Sequence, residues 1–135
     1  MRRWIFGTEV TAPAAATQLL KITPSAGRIG LIYGYHYVCQ EGTAAGKVAR
    51  VRLNIAGTAV VALTLDVAAN SNPFVSADAL LALAGNGLDF IEVVNVVAGT
   101  AATIHRAGLL YEEVDGTAPV ISVTPFDYRK YPGGG

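Results

Sequence analysis

The sequence predicts an all-β fold: an antiparallel β-sandwich, jelly-roll-like, of about seven or eight strands, with at most one short helical turn. Three observations predict it. Apolar residues alternate at period two through several runs. Gly, Pro or Asn punctuates the gaps between runs. Helix signals are nearly missing. The chain divides into an N-terminal arm or strand (1–15), a β-sandwich domain (16–116) and an extended C-terminal tail (117–135).

Residues 1–12 read as a short strand or arm with Trp4 and Phe6 on one face, and the alanine-rich stretch around Pro13 reads as a linker. Gln18 to Thr23 is a short strand, stopped by the turn cluster Pro24-Ser25-Ala26-Gly27. Arg28 to Gln40, R-I-G-L-I-Y-G-Y-H-Y-V-C-Q, is the spine. At strict alternation Ile29, Leu31, Tyr33, Tyr35, Tyr37 and Cys39 share a core face, with His36 opposite. Aromatic and β-branched residues suit a pleated, half-buried surface.

Glu41 to Gly46 reads as a loop. Lys47 to Ile55 turns Ala49, Val51, Leu53 and Ile55 inward. Ala56-Gly57 links it to Thr58–Val67, where Ala59, Val61, Leu63, Leu65 and Val67 share a face, so the pair reads as a hairpin. After a loop over 68–73, Ser76 to Leu83 is the one plausible helical turn, with Ser76 as cap and a glycine stop at Ala84-Gly85-Asn86-Gly87. Leu88 to Val97 mixes both faces and reads as a strand buried on two sides. Thr100 to Val114 is the last long strand, and Val120 to Val123 a short final one.

Composition narrows the function. Of 135 residues, 52% are hydrophobic and only 15% charged, a balance that points to surface covered by other chains. Formal net charge is zero, which removes the electrostatic footprint of a nucleic-acid or anionic-membrane binder. The single cysteine, Cys39, permits no intrachain disulfide and falls on the apolar face. The opening M-R-R-W-I-F-G-T-E-V lacks the apolar core of a signal peptide, which predicts assembly in the cytoplasm without export.

Catalytic signals are missing. His36 and His105 show no metal-ligand spacing, so no metal site and no cofactor are predicted. Glu92 and Glu112 are the one carboxylate pair that adjacent strands could join, but Glu92 in an apolar strand is better matched to Arg50, Arg52 or Arg106. There is no nucleophile elbow or phosphate loop. The tyrosines at 33, 35 and 37 are expected to pack in the core rather than stack on a sugar or a base. The aromatics near the two ends, Trp4, Phe6, Phe126, Tyr128 and Tyr131, are the expected contacts to neighbouring subunits.

The middle of the chain, about residues 16–114, resembles the small β-sandwich virion proteins of tailed bacteriophages and related viruses, such as head decoration (cement) proteins. The likeness lies in layout: P-S-A-G-R-I-G-L-I-Y-G-Y-H-Y, the hairpin V-R-L-N-I-A-G-T-A-V-V-A-L-T-L, the apolar A-L-L-A-L-A-G-N-G-L, and a closing G-L-L-Y-E-E-V. The resemblance implies a structural, non-enzymatic virion protein without catalytic residues, assembled in a host cytoplasm. It also implies a homo-oligomer such as a trimer that contacts other virion proteins, the major capsid protein among them. A carbohydrate- or receptor-binding module on the same sandwich is the alternative.

Overall fold

A computed structural model describes residues 1–39, 48–66, 74–99 and 103–116. Over these the chain is all-β, with ten strands in two antiparallel sheets. They are β1 (Arg3–Phe6), β2 (Val10–Thr11), β3 (Gln18–Ile22), β4 (Arg28–Cys39), β5 (Val48–Ile55), β6 (Thr58–Asp66), β7 (Phe74–Val75), β8 (Leu81–Ala84), β9 (Phe90–Asn95) and β10 (Ile104–Asp115). The loops read at 41–46 and 68–73, the strand at 120–123 and the tail over 117–135 lie outside the described residues.

The six-stranded sheet runs β1-β10-β4-β7, with β2 also on β10 and β8 also on β4. The four-stranded sheet runs β3-β9-β5-β6. Both contribute to one apolar cluster. Ile32, Tyr37, Cys39, Leu81, Leu83, Leu109 and Tyr111 enter it from the first sheet, and Leu20, Ile22, Val51, Leu53, Leu65, Ile91 and Val93 from the second. Their removal from water is the main favourable term in folding.

The spine is a twelve-residue strand, but its faces are not those of strict alternation. On β10, Leu110 pairs with Gly34 and the next residue, Tyr111, pairs with Ile32, so Tyr33 is an extra residue. A bulge of this kind exchanges the two faces beyond it. Tyr35, Tyr37 and Cys39 do face the core, as expected. Ile32, predicted outward, is fully buried in it, whereas Ile29 and Leu31 are only half-buried on the other face. Tyr33 is buried outside the core cluster. Arg2 covers its ring at 3.5 Å, and its hydroxyl donates to Glu112 Oε1 at 3.1 Å.

The hairpin repeats the device. The inward set of β5, Ala49, Val51 and Leu53, is buried as expected. On β6 a register shift leaves Ala62 as the extra residue: Val51 pairs with Leu63 and Arg52 with Val61. Leu63 and Leu65 therefore face the core, while Ala59 and Val61, predicted to join them, lie on the opposite face. The Ala56-Gly57 link has positive φ at both residues, 52° and 83°. This is the sign pattern of a type I′ turn, whose twist matches that of paired strands.

The predicted helical turn over Ser76–Leu83 does not form. Ser76 Oγ does accept the Asp78 N–H at 3.3 Å, as a cap would. The next residues are instead recruited as β8, with Leu81 on Ile32 and Leu83 on Gly30. A four-residue segment nucleates a helix poorly, and pairing with the spine buries both leucines completely. The glycine stop read at 84–87 therefore follows a strand, with Ala84 inside β8. Asn86 Oδ1 accepts from the N–H groups of Leu88 (2.8 Å) and Asp89 (2.7 Å), and Gly87 takes φ 81°.

Strand β9 is buried on both faces, as its mixed pattern predicts. Its two buried polar residues are fully engaged. Asn95 Nδ2 donates to the Ala14 and Val97 carbonyls, and its Oδ1 accepts from Thr17 N–H. Glu92, 4% exposed, accepts from Gln18 Nε2 at 2.9 Å and pairs with Arg52 at 3.0 Å. Of the three arginines matched to Glu92 on sequence, the cross-strand neighbour Arg52 is the partner.

Candidate functional site

Strand β1 has the sequence R-W-I-F, and alternation divides it cleanly. Ile5 pairs with Leu109 and packs against the core. Trp4 pairs with Leu110 and Phe6 with Gly108, on the outer face of the six-stranded sheet. Trp4 and Phe6 therefore share a face, as their spacing predicts. Their rings stack with centroids 6.0 Å apart and planes 15° from parallel. Phe6 is 52% exposed.

Residues far away in sequence complete the patch. His36 on β4 pairs with Gly108 and stands edge-on to both rings, 6.5 Å from Trp4 and 6.2 Å from Phe6. Arg106 on β10 sets its guanidinium 5.1 Å from the Phe6 ring and pairs with Glu9 at 3.7 Å. Gly108 is what lets the Phe6 ring lie across β10. A Cβ there would sit 2.7 Å from Phe6 Cδ1. Sequence reasoning reached Trp4 and Phe6 but not Arg106 or Glu9. The one hint was that His36 lies on the face of the spine opposite Tyr37.

Burial first, and the nearby Arg106 charge second, lower the His36 pKa from its ordinary 6.5. The folded state thus binds fewer protons at this site than the unfolded state. The neutral ring's contribution to stability is present above pH 6.5 and is lost as pH falls through the lowered folded value. We predict that H36Q reduces the loss of stability just below this pH, read from urea midpoints across a pH series. Glu112 and Glu113 titrate from below 4.5 and fall in a separate, more acidic window.

Two other clusters have chemistry-bearing side chains. In the core, the Tyr37 hydroxyl and His105 Nδ1 are 2.7 Å apart, and Cys39 Sγ lies 3.7 Å from His105 Nε2. Cys39 is fully buried and His105 nearly so, which makes them the packed strand residues that the sequence predicts. A cleft of about 340 Å³ is lined by Met1, Arg3, Arg28, Tyr111, Glu112 and Glu113. Its charges are largely matched within its own wall. Arg28 pairs with Asp115 at 2.6 Å and with Glu113 at 3.5 Å, and the Met1 amine with Glu112 at 3.2 Å. Burial, then the neighbouring Glu113, pushes the Tyr111 phenol far above its usual range, so it stays protonated.

Glu92 and Glu112, the carboxylates weighed as a pair, lie on β9 and β10 in different sheets, not on adjacent strands. Among the described residues, no group of three or more His, Cys, Asp or Glu side chains is placed to hold a metal ion. Phe126, Tyr128 and Tyr131 fall outside the described residues. Comparison of the chain with protein-family models, with curated proteins and with solved structures returned no match.

Proposed function

We propose that this chain is a structural subunit that self-associates, of the kind found in virions as capsid decoration or related shell components. The finer fold reading that accompanies it is a jelly-roll-like sandwich, with the tail of residues 117–135 as a further contact to neighbours. The observation that carries the proposal is the exposed apolar surface. Phe6, Val60, Val61, Phe74, Val75, Leu88 and Val97 all stand in solvent on a chain with few charges. They lie at several places, and the adjacent pairs Val60–Val61 on β6 and Phe74–Val75 on β7 fall on edge strands, where another chain can cover them. The buried polar groups Glu92 and Asn95, meanwhile, are engaged in holding strands together. In this reading Trp4 and Phe6 are anchors, as large aromatics are in protein interfaces.

Multi-angle light scattering behind size exclusion is the test. The wild-type chain elutes as an oligomer, and Phe6→Ser weakens it about tenfold or more while the fold persists, because half of that ring is already exposed. A wild-type chain that stays monomeric at every concentration overturns the reading.

One observation favours a carbohydrate- or receptor-binding module instead. The Trp4–Phe6 platform is flanked by Arg106, whose buried Nε makes no hydrogen bond within the described residues. Flat rings beside polar donors also suit a sugar. Binding on a glycan array that disappears in Phe6→Ser, from a monomeric wild type, is the outcome that selects it.

A further inference from the structure

We propose that β6 is the seam along which two copies of this chain join, edge to edge, into one continuous sheet. The proposal rests on the self-association reading above and names its contact.

An edge strand presents a row of unpaired backbone N–H and C=O groups, and proteins usually blunt it with charge, proline or brevity. Three of the edges here are blunted. Strand β1 has four residues and carries Arg3, with Arg2 beside it. Strand β3 has five residues, carries Lys21 and runs into Pro24. Strands β7 and β8 have two and four. Strand β6 differs. It has nine residues, T-A-V-V-A-L-T-L-D, with no charge before Asp66, and β5 is its one partner among the described residues.

The exposure on β6 has a specific origin. Val60 pairs with Leu53, which is buried, so it lies on the core side of the sheet. Val61 pairs with Arg52 and lies on the outer side. Yet Val60 is 51% and Val61 46% exposed. Opposite faces are wet together because no described strand lies alongside β6, not because the side chains point away from the sheet. A neighbouring strand would cover both at once. The Ala62 bulge separates this exposed arm, Thr58–Val61, from the more buried Leu63 and Leu65.

A second copy fits this edge. In a twofold antiparallel pair the strand meets itself reversed, so any charge near the axis faces its own kind. From Thr58 to Leu65 there is none, and threonine and valine favour cross-strand packing. Pairing near Val60 would extend the four-stranded sheet to twice its width and consume both edges, so the contact closes on itself.

The test compares wild type, Val61→Glu and Val61→Thr by light scattering across a dilution series. Val61 lies outside the core and next to Arg52, so the glutamate is tolerated in a single chain, and far-UV circular dichroism checks its fold. Val61→Glu, placing like charges across the axis, is expected to weaken association about tenfold or more, whereas Val61→Thr retains it. An unchanged oligomer in Val61→Glu overturns the seam and leaves the self-association reading standing. A monomeric wild type overturns both. Hydrogen exchange on wild type gives a second readout, independent of any variant. Protection of the β6 amides that point away from β5, rising with protein concentration, supports the seam. Protection of those outward amides that is the same at all concentrations means that the chain's own residues cover the edge, and overturns it, as does no protection of them at all.

Discussion

Gly7→Ala is expected to unfold much of the protein, at a cost of about 4 kcal/mol or more against a total stability of roughly 5–15 kcal/mol. Gly7 N–H donates to the Ala107 carbonyl at 2.8 Å, which ties it to the six-stranded sheet. A Cβ on Gly7 would lie 1.8 Å from the backbone oxygen of Leu19, on β3 of the other sheet. Leu19 is the extra residue at a register shift of β3 on β9, but its neighbours Gln18 and Leu20 are paired with Val94 and Val93, which limits how far its carbonyl can withdraw. The methyl group must push the two sheets apart where Leu19 and Leu20 enter the core. Gly27→Ala is the comparison. Gly27 has open space around it but a φ of 79°, so alanine there meets only the left-handed strain, about 1–2 kcal/mol. Urea unfolding measures both. Gly7→Ala should lower the midpoint far more than Gly27→Ala. If the order is reversed, the close approach at Leu19 is wrong.

Ile32→Ala is expected to cost about 2–5 kcal/mol, the range for emptying a filled core position, and Leu31→Ala about 1 kcal/mol. Strict alternation along the spine predicts the reverse order. The difference comes from the extra residue at Tyr33, which sends Ile32 to Leu81 and Tyr111 and leaves Leu31 on the outer face. The pair of variants therefore reads the bulge directly in denaturation midpoints at constant slope. A larger loss for Leu31→Ala than for Ile32→Ala would remove it.

The same two residues show how far the sequence reaches. Where strands run without interruption, alternation is enough: Ala49, Val51 and Leu53 are buried in the pattern their spacing predicts. A bulge leaves no such trace. It is a property of two strands, since Tyr33 is extra only relative to Leu110 and Tyr111, and Ala62 only relative to Val51 and Arg52. Leu80, Leu81 and Leu83 suit either a helical turn or a strand, and the long-range pairing with Ile32 and Gly30 decides for the strand. The aromatic patch divides in the same way. Trp4 and Phe6 are neighbours by local geometry alone. Arg106 and His36 join them only because β10 lies between β1 and β4, which no local pattern encodes.

That central place of β10 also governs the order of events during synthesis. Strand β1 is made about a hundred residues before its partner β10, which ends at Asp115. The spine, made early, likewise waits for β10. Among the described strands only the β5–β6 hairpin can close from a short stretch of nascent chain. Contacts this distant are slow to form, so the growing polypeptide carries unmatched strands for most of its translation. Chaperone demand should therefore be highest just before residues 104–115 clear the exit tunnel, and should drop sharply after.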